Sequence, residues 1–445
     1  MQQNKVVEVA LLLLIAQKAD AESARVRIAQ KGLDYAAWVA KTVLNSKVTG
    51  AELGYDYDEG PFYDTEVLGG RISSLRAPDI ALTPVAPNKL RFTASKGFAK
   101  FRVNGEIHAL FLTSGFAARG NIKSLEANVL VTLTRRRRGG GKTLYLRVRK
   151  CEMEVKEVEV SKIAGRGLAW IADLFFKYEA AGGIREKVNS RLCSLFKELV
   201  IDRANKWLRS TDLIIPAFGG SAIELQLDSN PVSRSKKWVE IRLEARIDGK
   251  RISGEAIDQG SEDAAHKHLY AWISQAAINA LLEDAHLNRK FKFDAEIAKG
   301  DAAITGELSI ESQQAPELTL RDGNDSSILF NGSVVFIRPL VDSFSGEFEY
   351  EGPISCVVKR TPTSVSLHPV LNTRQSSVQC DIPRISSTIC KFAKIWVLKR
   401  LNQKIERLGY ELPAVQYVKW KEFGVALLNR TVLVSTQVEF DESEL

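Results

Sequence analysis

Apolar and polar residues alternate along this chain with two periods, and the changes of period divide it. From Leu90 the pattern is β. Leu90 to Ala94, Phe98 to Val103, Ile107 to Leu112 and Val129 to Leu133 alternate as strands, with Lys96-Gly97, Asn104-Gly105 and Ser114-Gly115 as the turns among them. Leu144 to Arg149 is another clean strand. Cys151 to Val160 carries Met153, Val155, Val158 and Val160 among acids, and its one slip, between Val155 and Val158, predicts a bulge. With Ser161 as N-cap, a helical period follows through Leu168, Ile171, Phe175 and Tyr178. It is interrupted at Gly182-Gly183 and resumes at Ile184, Val188, Leu192, Leu195 and Leu199, reaching Trp207. Such an interrupted helix is roughly 60 Å long at about 1.5 Å per residue. Its apolar stripe needs an equally long partner surface, and the preceding strand is the obvious one. A bridge from Cys151 in that strand to Cys193 in the helix would fix strand, turn and helix as one unit.

Upstream, Arg25 to Trp38 opens a strand that passes into a helix ending near Asn45. Its apolar face takes in Ile28, Leu33, Ala36 or Ala37, Ala40 and Val43. The second half repeats the order. Ile223 to Leu227 and Trp238 to Ile247 are strands, Asp248 to Asp263 reads as a linker, and His268 to Leu282 as an amphipathic helix. A β-rich stretch runs from Lys290 to about Gln379, and a second long helix from Ser386 to Leu408 carries Ile389, Phe392, Trp396, Leu401 and Ile405 on one stripe. Val415 to Trp420, Val425 to Leu428 and Val432 to Phe440 close the chain as strands. A helix–sheet–helix order occurring twice suggests duplication.

At 445 residues there is room for two or three domains, and 45% apolar with 26% charged residues is ordinary for a folded protein. A net charge of +8 leaves nucleic acid, membrane surfaces and acidic glycolipids all open as partners. Residues 1–21 read as a secretory leader, with Lys5, an apolar run from Val9 to Ala16 and a small-x-small site at Ala19-Asp-Ala21. No later run approaches the roughly 20 apolar residues of a membrane span, so the mature product is expected to be soluble; a monomer is expected. Five cysteines fit two bridges and one left over, with the pairing of Cys356, Cys380 and Cys390 undecided. Sequons at Asn324, Asn331 and Asn429 are the candidate glycosylation sites. Leader, sequons and cysteines together predict a secreted, extracellular protein.

Catalytic patterns are missing. The five histidines stand at no recognisable metal or triad spacing, no C-x-x-C or G-x-S-x-G occurs, and Gly141-Lys142-Thr143 lacks the first glycine of a nucleotide loop. No enzyme and no metal is expected. The conspicuous local feature is Arg135, Arg136, Arg137 and Arg138 with Lys142, read as a glycine-flanked hairpin loop suited to anionic headgroups. A solvated charge run, or a site for a basic-cleaving protease, is the other reading.

Arg27-Ile-Ala-Gln-Lys-Gly-Leu-Asp-Tyr-Ala36 closely resembles the mature start of the family of bactericidal/permeability-increasing and lipopolysaccharide-binding proteins. Lys162 to Cys193, with Gly167-Leu-Ala-Trp170, Leu174-Phe175 and Val188-Asn-Ser-Arg-Leu-Cys193, resembles that family's long N-domain helix. His268-Leu-Tyr270 is similar to the opening of its C-terminal barrel, and Leu412-Pro413 with the strands ending at Phe440 to its C-terminal hairpin. The likeness covers nearly the whole mature chain and is thin between 290 and 380.

The resemblance implies an α+β fold of the tubular lipid-binding superfamily: an elongated boomerang of two barrels, each a highly curved antiparallel sheet wrapped on a long helix, joined by a central antiparallel sheet. It implies a barrel over 22–222, a central sheet and linker over 223–263, and a second barrel over 264–445 whose last strands return to the centre. The Cys151–Cys193 pair falls where the family places its shared disulfide. Bound phospholipid or lipopolysaccharide would lie in apolar pockets, for which Ile28, Leu33, Ala36, Ala40, Leu168, Ile171 and Phe175 are the lining candidates, with the arginine run on a cationic N-barrel tip. One departure stands out: the hairpin that is densely basic in the family reads Asn104-Gly-Glu-Ile-His-Ala-Leu-Phe-Leu112 here, neutral to acidic. Innate antibacterial defence is the first functional expectation and an extracellular phospholipid or sterol-ester carrier the second. A module binding protein or nucleic acid through the arginines is a third, and nucleic acid is not expected as a partner.

Overall fold

The structure, a computed structural model, describes residues 22–48, 52–53, 56–59, 64–109, 112–138, 141–165, 177–210, 214–216, 222–252, 257, 267–297, 306–323, 325–337, 343–360, 365–372, 375–381, 395, 399, 402–403, 410–411 and 418–440. The leader, Leu168, Ile171, Phe175, Asn324 and nearly all of the helix expected from Ser386 to Leu408 lie outside them.

Strand β1 (Ala24–Ala29) runs straight into helix α1 (Gln30–Val48). There follow β2 (Glu52–Leu53), β3 (Asp56–Glu59), β4 (Asp64–Arg76), β5 (Asp79–Val85), β6 (Lys89–Ala109), β7 (Leu112–Arg138) and β8 (Gly141–Gly165). Helix α2 (Lys177–Phe196), a π-helical stretch (Lys197–Asp202) and helix α3 (Arg203–Ser210) succeed one another without a break. The middle supplies β9 (Ile214–Pro216), β10 (Ala222–Leu227), β11 (Val232–Arg234), β12 (Trp238–Ile247) and β13 (Lys250–Arg251). The second half opens with β14 (Leu269–Ser274) and α4 (Gln275–Leu287). It continues through β15 (Lys292–Ile297), β16 (Gly306–Ser312), β17 (Glu317–Thr319), β18 (Ser327–Ile337), β19 (Ser343–Arg360), β20 (Val365–Leu371), β21 (Ser377–Asp381) and β22 (Tyr410–Glu411), and ends in β23 (Val418–Leu428) and β24 (Thr431–Phe440).

These form three sheets among the described residues. An N-terminal sheet runs β2–β4–β6–β7–β8, with β3 on β4 and β5 on β6. A C-terminal sheet runs β15–β16–β18–β19–β20–β22, and a central sheet β23–β24–β14–β1–β12–β10–β9. The central sheet therefore draws strands from both ends of the chain, and not only from the 223–263 stretch. Asp248 to Arg251, expected in a linker, is the turn and return strand of the β12–β13 hairpin. Arg27 ties the centre together: its guanidinium lies 2.7 Å from Glu240 and between the rings of Trp238 and Trp272, at 4.4 and 4.9 Å. Burial makes so well-partnered a pair costly to break from one side.

The N-terminal sheet departs most from the expected pattern. Leu90 to Val103 is not two strands and a turn but part of one 21-residue strand, and β7 runs unbroken for 27 residues. Lys96-Gly97 is a bulge, with Lys96 at φ 63° and the register shifting between Ala94 and Gly97. Asn104-Gly105 and Ser114-Gly115 pair within the ladder. The bulge flips the pleat, so Leu90, Phe92 and Ala94 face inward on one side of it and Ala99, Phe101 and Val103 on the other. On β7 the same flip falls at Ser124 (φ 57°), between Ile122 and Leu125, and on β8 at Lys156, opposite Ser124. The slip between Val155 and Val158 is therefore one segment of a crease crossing three strands. The register shifts on β8 itself lie at Arg119/Gly120 and Leu130/Val131.

Three helix boundaries move. Ser161 does not cap a helix; its hydroxyl donates to Arg119 O within β8, which extends to Gly165. Gly182-Gly183 does not interrupt α2, since a helix held by tertiary packing tolerates the roughly 1 kcal/mol a glycine costs. His268 to Leu282 is half strand. Tyr270, Trp272 and Ser274 are buried at every second position in β14, and the Ser274 hydroxyl then caps α4 by accepting from Ala277 N at 3.2 Å. β1 and β14 pair antiparallel, so the two strand-into-helix units lie side by side.

Candidate lipid-binding site

The N-terminal sheet turns an apolar face inward, and two helical elements divide it. α1 packs on β5 and β4. Gln30 Nε2 donates to Leu82 O at 2.8 Å, Asn45 Oδ1 accepts from Ala77 N at 2.7 Å, and Lys41 lies 2.6 Å from Asp79. The hydrogen bond and charge of Lys41 hold the Asp79 carboxyl below its usual range. α2, the π stretch and α3 cover β7 and β8. Val188 and Leu192 pack on Phe101, Val155 and Val158, while Phe196 and Ile201 pack on Val129 and Val131.

β8 is the edge of this sheet, and its unpaired backbone needs partners. Asn189 supplies them to Val155, accepting from its N–H at 2.7 Å and donating to its carbonyl at 3.4 Å. Asn205 does the same for Leu146, at 2.8 and 2.9 Å. Between these two points Cys151 and Cys193 are disulfide-bonded, with Cα atoms 6.0 Å apart. The rod is thus fastened to the sheet edge at three places.

Small side chains occupy several of the inward positions of this face. Ala94, Ala99, Ala118 and Ala127 lie at inward positions and are buried, each at 8% exposure or less, with Ala118 packed beside Ala181 of α2. These alanines are not among the expected pocket residues, and their one signal in the sequence is their place in alternating strands. The C-terminal sheet is different. Phe291, Phe293, Phe330, Phe336, Phe348 and Tyr350 fill its inner face with Leu308 and Ile310, and the rings of Phe291, Phe293 and Phe348 stand edge-on to Phe330 at 6.1 to 6.3 Å. The expectation of an apolar tunnel in that half is not met by the described residues.

The expected pocket residues separate. Leu33 is buried and Ile28 half-buried, but both pack into the junction of N-terminal and central sheets with Leu133 and Val239. Ala40 is half-buried. Ala36 is exposed, because the inward stripe of α1 runs through Leu33 and Ala37, one turn apart.

The arginine run is strand rather than loop, at the closing end of the β7–β8 hairpin. Arg135 to Arg138 are the last residues of β7, paired with Leu144 to Gly141 of β8, at the end of the sheet beside the central one. Alternation splits them. Arg135 bonds to Asp228 O, and its N–H to Asn230 Oδ1 at 2.8 Å. Arg136 lies over the Tyr145 ring at 4.9 Å, and Lys142 is 3.6 Å from the buried Glu244. Burial pushes the Glu244 carboxyl up, but Arg246, Lys142 and Arg251 outweigh it and hold it below its usual range. Of the sequons, Asn429 is exposed in the β23–β24 turn. Asn331 lies mid-strand in β18 with its side-chain oxygen buried, a poor place for a glycan. Cys356 is an unpaired thiol that burial pushes up to about 11.

Clefts also occur elsewhere among the described residues. One of about 750 Å³ lies between the β12–β13 hairpin and α4, and one of about 970 Å³ on the C-terminal sheet near Arg321 and Asn372. Charged and polar side chains contribute to both linings.

A crystal structure of lipopolysaccharide binding protein matches 94% of this chain and 99% of its own, with a TM-score of 0.59 at 13% identity. The two chains share one fold, the tubular lipid-binding fold. The structure of P47 from Clostridium botulinum A2 aligns over 94% of this chain and 97% of its own at 10% identity and a TM-score of 0.34. Epiphyas postvittana Takeout 1 aligns over 41% and 91% at 8% identity and 0.24. No protein-family model and no curated protein matches the sequence. The resemblance read from the residues is thus met at the level of the fold.

Proposed function

We propose that the protein is an extracellular lipid carrier that shelters the acyl chains of a phospholipid-like amphipath against the inner face of its N-terminal half. One observation carries this: the inward face of that half is apolar, includes four buried alanines and has helical elements packed along both flanks, whereas the C-terminal face is filled by aromatic rings. Each methylene removed from water contributes roughly 0.8 kcal/mol, so two acyl chains hold without any covalent step. The disulfide and the leader-like residues 1–21 support export. A role in lipopolysaccharide binding rested on a cationic tip. The arginine run lies beside the central sheet, and the far ends of β3, β4 and β6 carry Asp56, Asp58, Asp64 and Glu106, which favours the carrier reading. Mass spectrometry of an organic extract of the purified protein tests it. Stoichiometric phospholipid is expected, and a lipid-free extract from protein that also takes up no acyl-chain probe contradicts the proposal.

A further inference from the structure

The phase of β6, β7 and β8 sorts charge along the sheet. Residues 86–93, 129–138 and 141–151, the strand ends beside the central sheet, hold ten Lys and Arg and no Asp or Glu. From Glu126 and Glu152 onward, just short of the crease, the charges are mixed and paired: Lys150 bonds to Glu152, Lys156 to Glu126, and Lys123 lies 2.5 Å from Glu159.

At the cationic end the inward positions are taken by Leu90, Phe92, Val129, Val131, Leu144 and Leu146. Alternation therefore turns Lys89, Arg91, Arg136 and Arg147 outward. Arg91 stands in one row with Leu130 and Lys150, and Lys89 in the next with Thr132 and Arg147. Lys89 is half-buried and the other three are exposed. None of these four is in an ion pair among the described residues. Arg149, at the β8 register shift, is exposed and donates to Thr132 Oγ1 at 3.2 Å. The turn before β12 extends the wall with exposed Lys236 and Lys237, held against β5 by Lys236 N donating to Pro84 O at 3.2 Å.

We propose that this outward wall is the face by which the protein docks on an anionic phospholipid bilayer; the inference rests on the carrier reading, which requires a donor or acceptor membrane. The wall is a patch several strands wide, about 4.8 Å apart, rather than a groove for one linear polyanion. Its aromatic ring, Tyr145, is capped by Arg136, so no base can stack there as single-stranded nucleic acid would require. Each cation at such a surface strengthens binding roughly fivefold, and the acidic far end of the sheet is repelled, which sets the orientation. Arg135 and Lys142 are not part of the wall, because the central sheet occupies them.

The test is co-sedimentation of the full chain with phosphatidylcholine vesicles and with mixed phosphatidylcholine–phosphatidylserine vesicles. The wild type is expected to sediment with the mixed vesicles only, and less as salt rises. The variant K89Q/R91Q/R147Q/R149Q is expected to lose on the order of a hundredfold in affinity or more, while K123Q/K156Q, at the crease, keeps it. Equal binding by the first variant, equal binding to neutral vesicles, or capture by a sulfated polysaccharide or DNA without capture by the mixed vesicles would overturn the proposal. Uptake of a soluble fluorescent acyl probe, with no vesicles present, separates the two ideas. The fourfold variant should still load it, and a wild type that loads none sinks the carrier reading whatever the vesicles show.

Discussion

Asn205 mimics a strand. Its side-chain amide exchanges two hydrogen bonds with the backbone of Leu146, as the next strand would if the sheet continued past β8. Asn205 is only 1% exposed, so water cannot replace it. Truncation in N205A leaves a backbone donor and acceptor without partners and is expected to cost about 2–4 kcal/mol in urea unfolding. Asn189, more than four turns away on the rod, should behave alike, and the two losses should add. A near-neutral N205A would show that the edge is satisfied some other way.

The bond between Cys151 and Cys193 closes a stretch with a sequence separation of 42. Loop entropy assigns such a closure about 4 kcal/mol. C193S, or the reduced wild type, should therefore unfold at clearly lower urea, with the proteolytic sites nearest the α2 rod opening first. Unchanged stability on reduction would mean that packing and the asparagines suffice.

Gly32 sits in α1 where a glycine is ordinarily a liability of about 1 kcal/mol relative to alanine. Here a Cβ would lie 2.6 Å from His268 O, on rigid backbone of the strand pair beneath. G32A is expected to destabilise despite its better helix propensity, and thermal unfolding decides the sign.

His268 is buried against Tyr35, the ring centroids 5.1 Å apart, and its Nδ1 accepts from Val438 N at 3.1 Å. Burial first, then the charges of Lys31 and Lys267, depress its pKa, with Glu422 opposing. The unfolded chain, with a histidine near 6.5, binds the proton more readily. The stability tied to the neutral ring is thus complete above that value and lost as pH falls through the lower, folded one. Urea midpoints measured from neutral pH downward should fall, and H268N, which keeps an acceptor and does not titrate, should fall less.

Much of this was legible in the residues. β1 into α1, the strands at 223–227 and 238–247, and the helical period through Val188 and Leu192 follow from local period alone. The long strands were not, and for a definite reason. Leu90, Phe92 and Ala94 are out of phase with Ala99, Phe101 and Val103, and a change of phase at a glycine is what a turn also produces. Only the facing strand, with Ser124 changing phase at the same height, distinguishes crease from turn. The arginine run failed similarly. Four like residues carry no internal phase, so their split between the central sheet and solvent could come only from the register with β8. At Ala36 and Ala37 two adjacent small residues both fit the stripe, and packing against β5 chose the second.

The central claim is that lipid chains lie against the N-terminal face and not within the C-terminal sheet. A phospholipid with a photoactivatable group on its acyl chain, loaded into the full chain and irradiated, tests it directly through the peptides that carry the adduct. Adducts on β6, β7 and the α2 rod, near Ala99, Ala118 and Leu192, are the expected result. Adducts confined to residues 291–350, or none on a protein that holds the lipid, would contradict it.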